Sequence, residues 1–193
     1  MEEFIYMFKI RIFDISLTKA GFVLFLSENE SGPILPIVIG ISEAQSITMA
    51  LNKIDPERPL SHDLFKTIMG NFQATVVKVI ISKYENGTFF ADLYLNTNDG
   101  TLILDSRPSD AIALAIRYKA PIYVNKEIME EAGVDSSYVK QETGTPINHS
   151  ELELAPVSEV SILEDRLKDA VTKEKYEEAA IIRDQLDKLK GKN

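Results

Sequence analysis

A chain of 193 residues holds one domain of ordinary size and a small appendage. With 45% hydrophobic and 26% charged residues it can bury a core, which excludes wholesale disorder; 30 acidic against 21 basic side chains, a net charge of −9, exclude a whole-chain electrostatic grip on nucleic acid but not a local basic patch. The lack of cysteine excludes disulfide scaffolds, thiol nucleophiles, zinc ribbons and iron–sulfur clusters, and two histidines, His62 and His149, are too few for a histidine-rich metal site.

The first predicted element is a strand over residues 4–12, where Phe4, Tyr6, Phe8, Ile10 and Ile12 share one face and Lys9 and Arg11 the other. Glu2 and Glu3 at the start, with Lys9, Arg11 and Asp14 behind them, do not make a secretory leader, and no run reaches the ~18 apolar residues of a spanning helix. The expectation is a cytoplasmic protein with no membrane association. Strands follow at 22–26 and 34–39, parted by the turn chemistry of Asn29, Ser31, Gly32 and Pro33, so the fold opens as an antiparallel meander.

The period then becomes helical. Ala44, Ile47, Thr48, Leu51 and Ile54 predict a helix capped by Ser42, running to about Lys53 and broken by Asp55-Pro56. A second short helix is expected over 61–69, with Ser61 as cap and Gly70 as stop. Strands at 72–82 and 88–95 flank Asn86-Gly87, a strong hairpin signal, and Asn98-Asp99-Gly100 turns into a strand at 102–104. The helix over 108–118 has six consecutive apolar residues, Ala111 to Ile116, so it should be buried on several sides and lie at the centre. A strand at 121–124 and a helix at 126–132, stopped by Gly133, complete a domain over 1–133.

From Val134 to Val160 there are five acidic residues, one basic residue, Gly144, Pro146, Pro156 and no sustained period: an acidic linker. Over 161–193, Leu163, Leu167 and Val171 make one apolar stripe and Tyr176, Ala179, Ile182, Leu186 and Leu189 another, with Lys173-Glu174 at the junction. Two such short helices are marginal in water, so the hairpin needs a partner. The expected fold class is α+β, a mixed, mainly antiparallel sheet packed with helices, followed by a C-terminal two-helix antiparallel hairpin.

Four stretches occur in order: Leu35-Pro-Ile-Val-Ile-Gly40, Arg58-Pro-Leu-Ser-His-Asp-Leu-Phe65, Asp105-Ser-Arg-Pro-Ser-Asp-Ala111 and Ala120-Pro-Ile122. Together they resemble the bifunctional nuclease (BFN) domain family, across roughly residues 5–133. Leu163-Glu-Asp-Arg-Leu-Lys168 and Tyr176-Glu-Glu-Ala-Ala-Ile-Ile-Arg-Asp184 look like a UVR motif, the helical hairpin of excinuclease B and C subunits and of some Clp protease regulators. The resemblance implies a mixed α/β domain that tends to self-associate into a homo-oligomer and acts as a nuclease on DNA and RNA. It also implies a protein partner engaged through residues 161–190.

Two polar clusters stand out. In the first, Asp105 and Asp110 suit a divalent magnesium or manganese ion, while Arg107 and Ser109 suit a phosphate at a helix start. The same residues also read as helix-start chemistry, with Pro108 in the first turn and an Arg–Asp pair tying the loop. In the second, His62 is a proton-transfer candidate beside Asp63, with Arg58 for substrate. Its plain alternative is a capped, packed helix start. Convergence of the clusters would assemble a metal-assisted phosphodiesterase; the competing expectation is a non-enzymatic binding module that recruits a repair or Clp-type proteolysis partner through the hairpin. Glu43 reads as a complement to a helix dipole, and His149 as a solvated linker residue. Lys9, Arg11, Lys78 and Lys83 read as a solvated strand face, since no aromatic platform is evident beside them.

Overall fold

The computed structural model describes residues 7–18, 20–29, 31–135 and 182–183. The chain divides into two compact units, Met1–Ile147 and Asn148–Asn193. In the first, β1 (Met7–Thr18), β2 (Gly21–Ser27) and β3 (Ile34–Ile39) form one antiparallel meander; β4 (Thr75–Glu85), β5 (Thr88–Thr97) and β6 (Gly100–Ser106) form another. Between them runs β7 (Ile122–Asn125), antiparallel to β1 and parallel to β4, giving the order β3-β2-β1-β7-β4-β5-β6. The predicted α+β class with a mixed, mainly antiparallel sheet is what forms.

Turn chemistry sets the second meander. Asn86 and Gly87 both take positive φ, 51° and 79°, the backbone of the two-residue hairpin that suits the sheet's twist, and Glu85 pairs with Thr88 across it. In the first meander, β1 serves two neighbours. Residues Met7–Ile10 pair with β7 and Arg11–Thr18 with β2, and the register shifts between Ile12 and Asp14. That extra residue moves the buried phase from Ile10 to Ile15, leaves Phe13 exposed and bends the strand. The Asp14 carboxylate accepts from the Ile15 N–H at 2.8 Å and the Ser16 hydroxyl at 2.5 Å.

Among the described residues of this unit there are four helices: α1 (Ile41–Leu51), α2 (Ser61–Asn71), α3 (Pro108–Tyr118) and α4 (Lys126–Ala132). As the apolar run predicts, α3 is central. Ala111 to Ala115 are all buried, and the helix packs on α1, α2, β4 and β5. They join Leu24, Ile47, Val79, Ile81 and Leu93 in one core. A smaller cluster of Val23, Phe25 and Ile34 takes in Val134, whose backbone exchanges two 2.8 Å hydrogen bonds with Ile34.

The boundaries differ from expectation for local reasons. The N-cap of α1 is Gly40, two residues before Ser42. That of α2 is Leu60, whose N–H is taken at 3.1 Å by Asp63, so a carboxylate three residues on replaces the expected Ser61 cap. The helix continues through Gly70, ending where Gln73 turns left-handed at φ 55°; Phe72 and Gln73 close it by backbone hydrogen bonds, which delays β4 to Thr75. Phe72 is 75% exposed and extends an apolar stripe of Leu64, Phe65 and Ile68 along α2. Among the described residues no helix is long and apolar enough to cross a membrane. Residues 182–183 are helical; the rest of the hairpin expected over 161–193, and the linker beyond residue 135, lie outside the described residues.

Candidate functional site

Three helices bring charged side chains to one place. On α1, Glu43 and Ser46 lie three residues apart and share a face; α3 presents Arg107 at its N-cap, then Asp110 and Arg117; α2 supplies His62 and Asp63 from its first turn. Glu43 folds back over Gly40 so closely that its carboxylate occupies the place of a β-carbon there. Glycine is what lets it reach Arg107, whose Nη2 donates to Glu43 Oε1 at 2.8 Å.

From there the network is continuous. Arg107 Nε donates to Asp110 Oδ2 at 2.7 Å, and Asp110 Oδ1 lies 3.1 Å from His62 Nε2. His62 Nδ1 is 2.9 Å from Ser46 Oγ, which accepts from Arg117 Nη2 at 3.0 Å. A guanidinium only donates, so the Ser46 proton is free to go to Nδ1. The proton of a neutral His62 then sits on Nε2, facing the carboxylate; this assignment follows from the network. The imidazole is 14% exposed, held at both nitrogens but reachable. Its hydrogen bond and charge make Asp110, ahead of Glu43, the main reason the Arg107 guanidinium is raised above its ordinary, already high value.

Arg117, 7% exposed, anchors the inner end. Its Nε donates to Asp63 Oδ1 at 2.7 Å and its Nη1 to the carbonyls of Ala113 at 3.0 Å and Ser46 at 3.3 Å. The hydrogen bond from Arg117 is the chief cause holding the Asp63 carboxyl below its ordinary 3.8, against the opposing push of burial; the Arg117 charge and the Leu60 N–H help. A depressed carboxyl adds stability above its unfolded value and loses it as pH falls through its folded one. Asp63→Asn is therefore expected to be less stable than wild type at pH 7, with the gap closing as pH drops below 3.8; urea midpoints at pH 7 and pH 3 check this.

The predicted residues sort unevenly. His62, Arg107 and Asp110 come together, and Asp63 joins through Arg117. Asp105 does not. It pairs with Asp92 across β5–β6, on the face opposite the buried Ala91, Leu93 and Leu95 against which α3 packs. Arg58 is exposed before α2, without a partner among the described residues. Ser109 is buried at the start of α3. The lysines were expected to lack aromatic neighbours, and this is corrected: Lys78 Nζ lies 4.3 Å from the Tyr94 ring centre and Lys83 Nζ 5.8 Å from that of Phe90. Those rings come from β5 across a twice-bulged register, which hides the pairing from simple alternation.

Ser46 and Arg117 were not foreseen. A lone arginine ending the most apolar helix, seven residues after Asp110, was the available signal for Arg117; Ser46 carried none.

Beside the network lies a cleft of about 480 Å³. Its walls include Val38, Gly40, Tyr84, Phe89, Arg107 and Ser109. Four strands part β3 from β5 in the sheet order, yet both border this cleft, so the sheet curls strongly. For a divalent ion the donor set is a poor fit. Asp110 already accepts from His62 and Arg107, Asp105 faces elsewhere, and among the described residues no three His, Asp or Glu side chains are grouped to hold a cation.

The sequence pattern of the bifunctional nuclease domain matches residues 24–137, and that of the UvrB/uvrC motif matches residues 159–192. An uncharacterised protein of Mycobacterium tuberculosis is 36% identical over 134 residues, covering 68% of this chain and 79% of its own length. Bifunctional nuclease 2 of Arabidopsis thaliana is 27% identical over 184 residues, and bifunctional nuclease 1 of Oryza sativa subsp. japonica 28% over 183. Each of these two alignments covers 88% of this chain but only 56% and 55% of the plant proteins. The chain belongs to the bifunctional nuclease domain family and carries a UvrB/uvrC motif behind that domain.

Proposed function

We propose that the domain hydrolyses phosphodiester bonds in DNA or RNA, with His62 transferring a proton and Arg107 meeting the phosphate. The observation that carries this reading is one carboxylate with two tasks. Asp110 holds His62 by one oxygen and orients the exposed Arg107 by the other, aligning a proton-transfer group with a phosphate-binding one. The names of the plant relatives support the same chemistry. In this reading Asp63 acts by fixing Arg117 and the start of α2, Ser109 contacts substrate in the cleft, and Arg58 meets a more distant phosphate. Magnesium or manganese is proposed to enter on the substrate's own phosphate oxygens rather than on Asp105 and Asp110, since Asp105 faces elsewhere and both Asp110 oxygens are engaged by His62 and Arg107. The exposed stripe on α2 favours a homo-oligomer, residues 161–190 engage a protein partner, and the cytoplasm is the proposed location.

The test is a cleavage assay on labelled single-stranded DNA, duplex DNA and RNA, with magnesium, manganese or chelator, using wild type and the Asp105→Ala, Asp110→Ala double variant. Metal-dependent cleavage by wild type, lost in a folded double variant but kept by Asp105→Ala alone, is the expected result. Cleavage by neither protein, or equally by both, overturns the assignment.

A further inference from the structure

Resting on the phosphodiester reading above, we propose that the cleft at the start of α3 is a subsite for a single nucleotide. The phosphate sits on the first turn of α3 and the base against Tyr84 and Phe89. α3 is an 11-residue helix with no side-chain cap. Pro108 has no N–H and Ala111 N–H is taken by the Arg107 carbonyl at 3.1 Å, which leaves the N–H groups of Ser109 and Asp110 as donors without an acceptor among the described residues, at the positive end of the helix.

The second observation is independent of the helix end. Ser109 is 6% exposed, yet its hydroxyl has no hydrogen-bond partner among the described residues. Every described side-chain polar atom sealed from solvent does have one, so this hydroxyl opens on the cleft that Ser109 lines. A hydroxyl held in a largely buried side chain, open only to the cleft and without a protein partner there, is a fixed donor that a ligand acceptor can take over from solvent. Arg107 adds its Nη1 donors, because among the described residues its bonds to Asp110 and Glu43 use Nε and Nη2.

The far wall suits a base. Tyr84 and Phe89 stack with ring centres 4.4 Å apart at 30°, only partly buried, next to Gly87 and Thr88. Aromatic surface accepts any base by its face. The cleft's 480 Å³ lies within the ~300–1,000 Å³ of small-molecule pockets. Two carboxylates on Arg107 outweigh its single positive charge, so recognition here is by directed donors rather than long-range attraction, which agrees with a chain of net charge −9.

The test titrates the full chain with adenosine 5′-monophosphate, adenosine and inorganic phosphate by calorimetry, with melting curves as a control on folding. The monophosphate is expected to bind at least tenfold tighter than either part. Ser109→Ala should weaken the monophosphate about tenfold and leave adenosine unchanged; Phe89→Leu should weaken the monophosphate and adenosine and leave phosphate unchanged. A 5′-phosphorylated dinucleotide that binds as well as the monophosphate assigns the subsite to a strand end, and one that does not assigns it to the free nucleotide. Monophosphate no tighter than phosphate, or Ser109→Ala without effect, overturns the proposal. Binding by a protein that never cleaves ends the phosphodiester reading and leaves the subsite standing. Cleavage without monophosphate binding does the reverse.

Discussion

His62→Ala is expected to lower kcat/KM for the proposed nucleic-acid cleavage by about 10²–10⁴-fold, the range that a positioned general acid or base contributes. The expectation rests on how the ring is held. Ser46 and Asp110 grip the two nitrogens, so the imidazole is held oriented for the proposed step, with its tautomer set. Removing it also frees Asp110 Oδ1 and the Ser46 hydroxyl, at a cost of about 1–2 kcal/mol in stability, so rates are compared on protein shown to be folded by circular dichroism. His62→Gln separates the two roles. Glutamine keeps a hydrogen bond within the network but cannot transfer a proton, so its rate should fall like that of the alanine variant. A His62→Gln variant with more than a tenth of wild-type activity would place proton transfer elsewhere.

The largest stability effect belongs to Arg117. Arg117→Ala is expected to cost about 2–4 kcal/mol, because it strips Asp63 of its cation and leaves the Ser46 and Ala113 carbonyls short of a donor. Arg117→Lys rescues little, since one ammonium cannot reach the four acceptors that a planar fork serves together. A double-mutant cycle with Asp63→Asn, read by urea unfolding, should return a coupling of about 1–3 kcal/mol. Independent, additive costs would mean that the pair is not what ties α2 to α3.

How far the sequence foretells all this depends on the range of each interaction. Local rules suffice for the Asn86-Gly87 hairpin, for Pro108 inside the start of α3 and for the burial of that helix, because the neighbours that decide them are close in the chain. The caps of α1 and α2 slip because glycine and a carboxylate three residues on do the work assigned to nearby serines. The site itself is assembled at long range: Glu43 meets Arg107 across 64 residues, His62 meets Asp110 across 48 and Ser46 meets Arg117 across 71. Composition names acids, bases and arginines but not which pairs meet, so Asp105 and Asp110 look equivalent in sequence while the pleat sends one to the far face of the sheet. Ser46 is invisible for the same reason. A serine on an apolar helix face has no sign of its own until a histidine and an arginine arrive from elsewhere.

Strand β7 also has a temporal meaning. It joins the two meanders, yet it is the last of the described strands in the chain, emerging after every residue of the polar network from Glu43 to Arg117. During synthesis each meander can zip up as it appears, because its turns are local, but the parallel seam with β4 must wait for residues 122–125. A nascent chain stopped short of that point carries all the chemistry of the site without the clasp that holds its two sides together.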